Sequence, residues 1–346
     1  MFVRWNSQTV EVDEQARLPG HEETAVVRRF AAPEALDTRF YEVRAKSAIN
    51  RVPVRSRVPF EWTINPYRGC SHACVFCFAR PTHEYLEFDA KRDFEKEIVV
   101  KVNVPEVLRA ELARPSWKGG HIAMGTNTDP YQWVEGRYKL MRGIWAALRD
   151  AANPCSILTK SPLLLRDLDL MLEVAERTEI GACLSVPTLD EKAWRASEPH
   201  TPHPRARLEA VAKLNAAGVP TGILIAPLMP GINDAPEQVE RIIALATEAG
   251  AVSIGGQTLF LRGAVREIYF DWLRSYRPDL VPRYEALYAR GAYVPDGERR
   301  AIERAAGLPR ARLARATPRF SDRGAAGRVT PVGAAGGRAA RQEALF

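Results

Sequence analysis

The most informative stretch of the chain is residues 65–78, which read N-P-Y-R-G-C-S-H-A-C-V-F-C-F. It carries the cysteines Cys70, Cys74 and Cys77, spaced C-x3-C-x2-C. Thiolates are soft anionic iron ligands, and one turn of backbone can wrap a cubane cluster. The loop therefore predicts a 4Fe-4S cluster with three protein ligands and a fourth iron left open for a small molecule.

The same residues allow an alternative, a zinc site of three cysteines completed by His72 or His83. Against it, two-cysteine zinc knuckles usually come in separated pairs, and the sequence has no second C-x2-C. An odd total of five cysteines, three of them clustered, favours a metal or cluster site in a reducing compartment over disulfides. We expect Cys155 and Cys183, which lie in apolar runs, to be buried inert thiols.

Composition is that of a globular protein, with 46% hydrophobic and 26% charged residues. The longest apolar stretch is far shorter than a bilayer span, and the start lacks a secretory signal pattern, so we expect a cytoplasmic protein without a membrane partner. The formal charge of +7 is uneven, because residues 299–346 hold eleven arginines and three acids while the rest is nearly neutral. The basic character therefore belongs to the C-terminal tail.

Short apolar runs alternate with segments of helical periodicity, which predicts parallel βαβ units. The predicted strands are residues 60–64, 121–125, 155–159, 181–186, 222–227 and 252–259. Helical patterns include residues 104–113, 140–148, 163–177, 204–217 and 239–245, and a further aromatic helical segment covers residues 264–290. Six such units predict an α/β fold, a partial (β/α)6 TIM-like barrel with its site at the strand ends.

Four regions follow from this pattern. Residues 1–57 show no sustained period and are predicted to be an extension that is loose or draped over the domain. Residues 58–275 form the predicted barrel core, and residues 276–304 a helical flank. Residues 305–346 are rich in Arg, Ala and Gly, cannot bury enough apolar area to offset ordering entropy, and are predicted to be disordered.

The cysteine loop, with Phe76 as the aromatic of C-x3-C-x-aromatic-C, resembles the radical S-adenosylmethionine (SAM) superfamily. The words N-P-Y-R-G-C-S-H-A-C, T-N-T-D-P-Y-Q and A-P-L-M-P-G-I-N-D resemble its branch related to spore photoproduct lyase. The resemblance covers about residues 58–275. It implies an enzyme that cleaves SAM reductively at a 4Fe-4S cluster to give a 5′-deoxyadenosyl radical, with a ferredoxin or flavodoxin as low-potential electron donor. The branch suggests nucleic acid as substrate only by analogy.

The resemblance also implies cofactor-binding residues at successive strand ends. Those expected to hold the methionine amino group are Gly125, Thr126 and Asn127. Thr159 and Lys160 are expected to meet the methionine carboxylate, Ser185 the ribose or carboxylate, and Ala226 to Leu228, with Pro227 between them, the adenine. An exposed lysine and a helix-capping serine are the structural alternatives for Lys160 and Ser185.

Asp129, Tyr131 and Gln132 are predicted to form a substrate-facing loop, with an ordinary Asp-Pro turn as the alternative. Arg80, Pro81, His83 and Glu84 pose the same choice after the cysteine loop. The lyases carry tyrosines where this chain has Phe76 and Phe78, and a cysteine hydrogen donor where it reads A-M-G-T-N-T-D. Repair of a thymine dimer by their radical relay is therefore not expected, and the catalytic hydrogen donor stays unassigned.

A different class of function is a non-catalytic zinc- or cluster-bearing protein that binds nucleic acid. The basic tail supports it, since arginine-rich segments make sequence-independent phosphate contacts. The composition of the tail favours a passive, solvated segment instead, because a GC-rich coding bias enriches Arg, Ala, Gly and Pro together and few aromatic residues lie between the arginines. The near-neutral body and its alternating strands and helices favour the enzyme.

Overall fold

The computed structural model describes residues 9–19, 24–30, 37–53, 56 and 58–308. The strands are β1 (Thr9–Arg17), β2 (Thr24–Phe30), β3 (Arg39–Val43), β4 (Ile49–Arg51), β5 (Trp62–Ile64), β6 (Tyr67–Arg68), β7 (Glu97–Lys101), β8 (Ile122–Met124), β9 (Cys155–Thr159), β10 (Ile180–Ser185), β11 (Thr221–Leu228) and β12 (Ile254–Thr258). The α-helices are α1 (Asp93–Lys96), α2 (Val104–Leu112), α3 (Glu135–Tyr138), α4 (Leu140–Asp150), α5 (Leu168–Ala175), α6 (Glu191–Ser197), α7 (Pro204–Ala217), α8 (Pro236–Glu248), α9 (Val265–Tyr276), α10 (Val281–Leu287) and α11 (Asp296–Ala305). Short 3-10 helices cover Arg80–Leu86, Pro162–Asp167 and Pro278–Leu280.

The larger sheet has seven strands in the order β4-β5-β8-β9-β10-β11-β12. Five successive parallel pairings join β5 to β12, and β4 adds an antiparallel edge strand. All six predicted strands are present, and β9 has the predicted bounds. The mixed α/β fold with its parallel sheet is confirmed.

Helices between the strands cover the sheet because each has an apolar face. In α4, Met141, Ile144 and Leu148 recur at three- and four-residue spacing and are buried in the core of the larger sheet. Burying a leucine or isoleucine side chain stabilises a fold by about 1.5–3 kcal/mol, so these faces fix each helix on the sheet. Helix α7 has the predicted bounds, beginning at Pro204 and ending before Gly218, whose φ of 101° suits glycine.

The N-terminal region differs from the prediction. Strands β1, β2 and β3 belong to a second sheet of five strands, in the order β1-β2-β3-β7-β6. Its core includes Phe40, Tyr67 and Ile98. The described residues before position 54 are therefore largely strands rather than a loose extension. Much of β1 and β2 is exposed or half-buried and charged, so their apolar alternation is too weak to reveal strands.

The second sheet matters for the site because β6 leads directly into the cysteine loop. Tyr67 and Arg68 of β6 pair antiparallel with Val100 and Val99 of β7. The start of the loop is thereby anchored to a sheet outside the barrel.

The C-terminal flank is helical, as predicted, through α9, α10 and α11. Helix α11 reaches the start of the predicted disordered tail, and residues 309–346 of that tail lie outside the described residues. Among the residues that the structure describes, no helix has the length and apolar character to cross a bilayer.

Candidate functional site

The carboxyl ends of five successive parallel strands, β8, β9, β10, β11 and β12, open on one cavity that the cysteine loop also lines. Parallel α/β folds place their sites at this edge of the sheet. The ends of β8 and β12, which three other strands separate, line the same space, so the sheet curves around it. The lining residues are Cys70, His72, Cys74, Phe76, Cys77, Phe78, Ala79, Gly125, Thr126, Asn127, Thr128, Asp129, Leu158, Thr159, Lys160, Ser185, Leu224, Ala226, Pro227, Gln257, Thr258, Leu259 and Phe260.

The cysteine loop leaves β6 through Gly69, whose φ is 78° and whose missing Cβ would lie 2.9 Å from the carbonyl oxygen of Phe94. The Cys70 amide donates to that same carbonyl at 2.9 Å. Tight turns follow, with the amide of Ala73 donating to Cys70 O and that of Cys77 to Cys74 O. The turns direct three thiols of one loop toward one cavity.

Two buried side chains brace this loop from behind. Gln132 accepts a hydrogen bond from the Ser71 amide at 2.9 Å and donates to Gly69 O at 3.2 Å. Arg80 donates to Cys74 O and Ala73 O, each at 3.0 Å. Buried backbone groups that have no helix or strand partner are thus satisfied by side chains.

A buried ion pair joins the loop to the next strands. His72 Nδ1 lies 3.3 Å from Asp129 Oδ2. Burial opposes the charge on His72, but Asp129 raises the pKa of the imidazole to about 9. Burial also opposes ionisation of Asp129, yet His72 and hydrogen bonds from Thr159 Oγ1 and the Lys160 amide lower its pKa to about 2. Both groups are therefore charged at neutral pH.

The donor set fits an iron-sulfur cluster with a small molecule beside it. Burial raises the pKa of the Cys74 and Cys77 thiols, which leaves them neutral until a cation stabilises the thiolates. The cavity continues from the thiols to Lys160 and Ser185, which leaves space for a second ligand.

Residues 64–263, more than half of the chain, match the family model described as Radical SAM superfamily. The chain belongs to the radical SAM superfamily. Radical SAM enzymes use an iron-sulfur cluster and SAM and require an electron donor. This radical SAM protein is accordingly an enzyme that uses radical chemistry.

A similar relative of this radical SAM enzyme is an uncharacterized protein of Mycobacterium tuberculosis (strain ATCC 25618 / H37Rv). The two are 44% identical over 311 residues, which cover 88% of this chain and 92% of that protein.

Among solved structures, spore photoproduct lyase complexed with dinucleoside spore photoproduct has a TM-score of 0.56 at 14% identity, covering 78% of this chain and 77% of that one. A variant of that lyase with bound AdoMet and dinucleoside spore photoproduct gives a TM-score of 0.55 at 16% identity, covering 77% and 76%. At these identities the likeness shows a shared fold.

The residues predicted to bind the cofactor of this radical SAM enzyme line the cavity, except Leu228, which is buried in the core. Gly125 ends β8 with a φ of 83°, and a Cβ there would lie 1.9 Å from the carbonyl oxygen of Leu158, so only glycine fits. Asn65 shapes the turn that follows, accepting from the Asn127 amide at 3.1 Å and lying 3.3 Å from Thr126 Oγ1. Ser185 is buried and donates to Ala226 O at 3.2 Å.

The predicted substrate loop needs correction. Of its three residues, only Asp129 lines the cavity. Tyr131 is fully buried, and its hydroxyl lies between Asp167 and the Trp145 indole. Gln132 is fully buried as the brace of the cysteine loop. In the motif T-N-T-D-P-Y-Q, residues 126–129 therefore line the cavity. Tyr131 and Gln132 are buried behind it, and Gln132 supports the cysteine loop.

Arg80 and His83 are also placed in the scaffold. Arg80 is buried, and its guanidinium donates hydrogen bonds to backbone carbonyls and to the carboxylate of Glu95. His83 is buried with Nε2 2.9 Å from Glu97 O and its ring stacked on Phe88, so the structure does not bring it to the cysteine cavity. Within the described part of the chain, no three His, Cys, Asp or Glu side chains have the arrangement of a single-metal-ion site.

Sequence reasoning missed several cavity residues after the last strand, notably Gln257, Thr258 and Phe260. Their position at the end of β12, the sixth parallel strand, is the signal that could have found them. It also missed Glu198, which contacts Lys160 from a loop with no periodic pattern.

Proposed function

We propose that this enzyme cleaves SAM reductively at a 4Fe-4S cluster held by Cys70, Cys74 and Cys77. The observation that carries the proposal is the convergence of three thiols from one loop on a cavity that the ends of five parallel strands also line. When bound, the cluster would supply one electron to SAM, which would break the S–C5′ bond, release methionine and give a 5′-deoxyadenosyl radical able to take a hydrogen atom from the substrate. A ferredoxin or flavodoxin is the proposed source of that electron.

The chain's own residues bind and orient SAM in this proposal. Lys160 supplies the cation for the methionine carboxylate, and the turn at Gly125 to Asn127 presents polar groups to the methionine amino group. Ser185 is placed for the ribose, and Ala226 with Pro227 for the adenine. Phe76 lies beside Lys160, with the ammonium 5.6 Å from its ring centroid.

The test is anaerobic purification and reconstitution, followed by iron and sulfide analysis and incubation with SAM and dithionite. We expect a charge-transfer band in the visible blue and formation of 5′-deoxyadenosine. Changing the three cysteines to alanine must abolish both signals. Stoichiometric zinc without iron would support the non-catalytic alternative instead.

We further propose that the substrate is a nucleic acid whose base stacks at the cavity mouth. Phe78, Phe260 and Tyr293 form a row there, with ring centroids 6.0 and 5.5 Å apart and the second pair stacked at 21°. Tyr293 is 59% exposed, and base–aromatic stacking contributes about 1–3 kcal/mol per base. The net positive tail supports a polyanionic substrate.

Oligonucleotide binding to the full chain, measured by fluorescence anisotropy over a salt series, tests this substrate class. We expect F260A and Y293A to weaken binding, and Y85A provides a matched control, because Tyr85 is exposed but does not line the cavity. Equal affinity for all four proteins would rule out stacking at the mouth. Deleting residues 309–346 tests the tail separately, through the loss of salt dependence.

A further inference from the structure

Glu198 is a buried charge beside the cavity with no role in the site described so far. It follows α6, and its amide donates to Trp194 O at 2.8 Å. The side chain has no exposed surface. A buried carboxylate is costly unless it is paired, so its partners indicate what it does.

One carboxylate oxygen is fixed to the scaffold. Oε2 of Glu198 accepts from Nη2 of Arg207, a fully buried residue of α7, at 2.8 Å. Arg207 also donates to Ser185 O at 2.8 Å and to Thr201 Oγ1 at 2.6 Å. The guanidinium therefore locks Glu198 against the end of β10.

The other oxygen faces Lys160. Oε1 of Glu198 accepts no hydrogen bond from the part of the chain that the structure describes, and it lies 3.5 Å from Lys160 Nζ. Arg207, Glu198 and Lys160 together carry one net positive charge. Lys160 is the member of the three that lines the cavity, so the uncompensated charge suits one ligand carboxylate.

The same segment is tied to the cysteine loop. Ser197 O, one residue before Glu198, accepts from the Val75 amide at 3.0 Å. Val75 lies between Cys74 and Cys77. The position of Glu198, and through it that of the Lys160 ammonium, is therefore set relative to the thiols.

We propose that Glu198 is a positioning residue that holds the Lys160 ammonium at the cavity wall, so that a ligand carboxylate meets a cation already in place. This inference rests on the proposed function, because the carboxylate is that of SAM. A free lysine loses much rotamer entropy when it is ordered, and ordering it before binding removes that cost from the affinity. E198Q keeps an acceptor for Arg207 and removes the charge that holds Lys160. We expect it to raise the Kd for SAM about tenfold.

The experiment measures the Kd for SAM by anaerobic calorimetry on cluster-loaded full-length protein. The proteins are the wild type, E198Q, K160M and the double variant, which together form a double-mutant cycle. E97Q is the matched control. Glu97 of β7 is also a buried glutamate with an arginine partner, since it lies 2.6 Å from Arg39, but it does not line the cavity. We expect E97Q to bind like the wild type, and E198Q to add no further loss once Lys160 is absent.

Three results would overturn the inference. If E198Q binds SAM as tightly as the wild type while K160M binds weakly, Glu198 has no positioning role and the proposed function stands. If E198Q weakens binding equally in the K160M background, Glu198 acts independently of Lys160. If the loaded wild type does not bind SAM, this inference and the proposed function both fail.

A folding defect is separated by a second variant. E198D keeps the charge but shortens the side chain by one carbon, and we expect a folded protein with weakened SAM binding. If E198D folds and binds SAM like the wild type, the distance to Lys160 is unimportant and the inference fails. If E198Q and E198D both unfold, Glu198 is a structural residue and the inference is withdrawn.

Discussion

Replacing Gln132 by leucine would show whether this residue faces substrate or supports the cysteine loop. Its amide is fully buried and makes three hydrogen bonds, to the Ser71 amide, Gly69 O and Thr128 Oγ1. Leucine has a similar volume and none of these donors or acceptors. The substitution therefore removes the polar bracing with little change in packing.

The magnitude follows from which groups lose their partner. Gly69 O keeps the hydrogen bond from Thr128 Oγ1 at 2.7 Å. The Ser71 amide loses the acceptor shown here, and an unsatisfied buried donor costs about 1–3 kcal/mol. We expect Q132L to lose about 2 kcal/mol of stability. Because the freed segment lies between Cys70 and Cys74, we also expect weaker cluster binding, by about 10–100-fold as for other outer-shell partners of metal ligands.

The assay is iron and sulfide content per chain after reconstitution, with the unfolding midpoint measured on the same samples. Q238L is a matched control, because Gln238 accepts from Thr188 Oγ1 and donates to Asn233 O far along the chain from the cysteines. It should lower stability and leave iron content unchanged. Full iron content in Q132L, with a normal unfolding midpoint, would refute the bracing role and return Gln132 to the substrate loop.

Two further predictions concern single residues. Burial, together with Arg68, lowers the pKa of Lys101 to about 8 from 10.5, so the folded state binds fewer protons between those values and stability rises with pH across that window. K101M should therefore be more stable than the wild type at pH 7, by up to about 3 kcal/mol minus the contribution of the lost hydrogen bond to Asn65 O. Denaturant titrations should show that this difference in stability is smaller at pH 10 than at pH 7. A difference that does not change with pH would contradict the argument from a buried charge. G125A should lower the free energy of unfolding by several kcal/mol or prevent folding, because its Cβ would lie 1.9 Å from Leu158 O at a φ of 83°. The control G136A should fold normally, because a Cβ at Gly136 meets nothing within 4 Å. Thermal unfolding of both proteins tests this.

The barrel could be predicted from sequence because its strands are short apolar runs between amphipathic helices. Residues 155–159 and 204–217 were given their observed bounds, since β9 is bracketed by polar turns and α7 starts at proline and ends before glycine. The second sheet could not be predicted in the same way. The side chains of β1 are largely exposed, so its pairing with β2 rather than its hydrophobicity defines it as a strand.

In the site, the residues at strand ends could be predicted from the sequence. The buried side chains that hold those residues in position could not. Lys160 and Ser185 follow apolar runs, so the topology alone places them at the cavity. Glu198 and Arg207 act from a loop and a helix that approach Lys160 only in three dimensions. The prediction that Tyr131 and Gln132 face the substrate was wrong, because a polar segment after a strand has the same sequence pattern whether it faces a ligand or supports a loop.

The polar motifs around the cysteines mainly support the site and are not expected to select the substrate. Asn65, Asp129 and Gln132 each join the cysteine loop or its flanks to neighbouring strand ends, and Asn65 and Gln132 lie outside the cavity lining. Similarity in these motifs therefore reports how the cofactor site is held. Substrate choice should lie with the mouth residues Phe78 and Phe260, because they line the cavity beyond the braced loop. Phe76 and Phe78, where this chain departs from the tyrosines of the lyases, both line the cavity, so we expect the substrate of this enzyme to differ from that of the lyases.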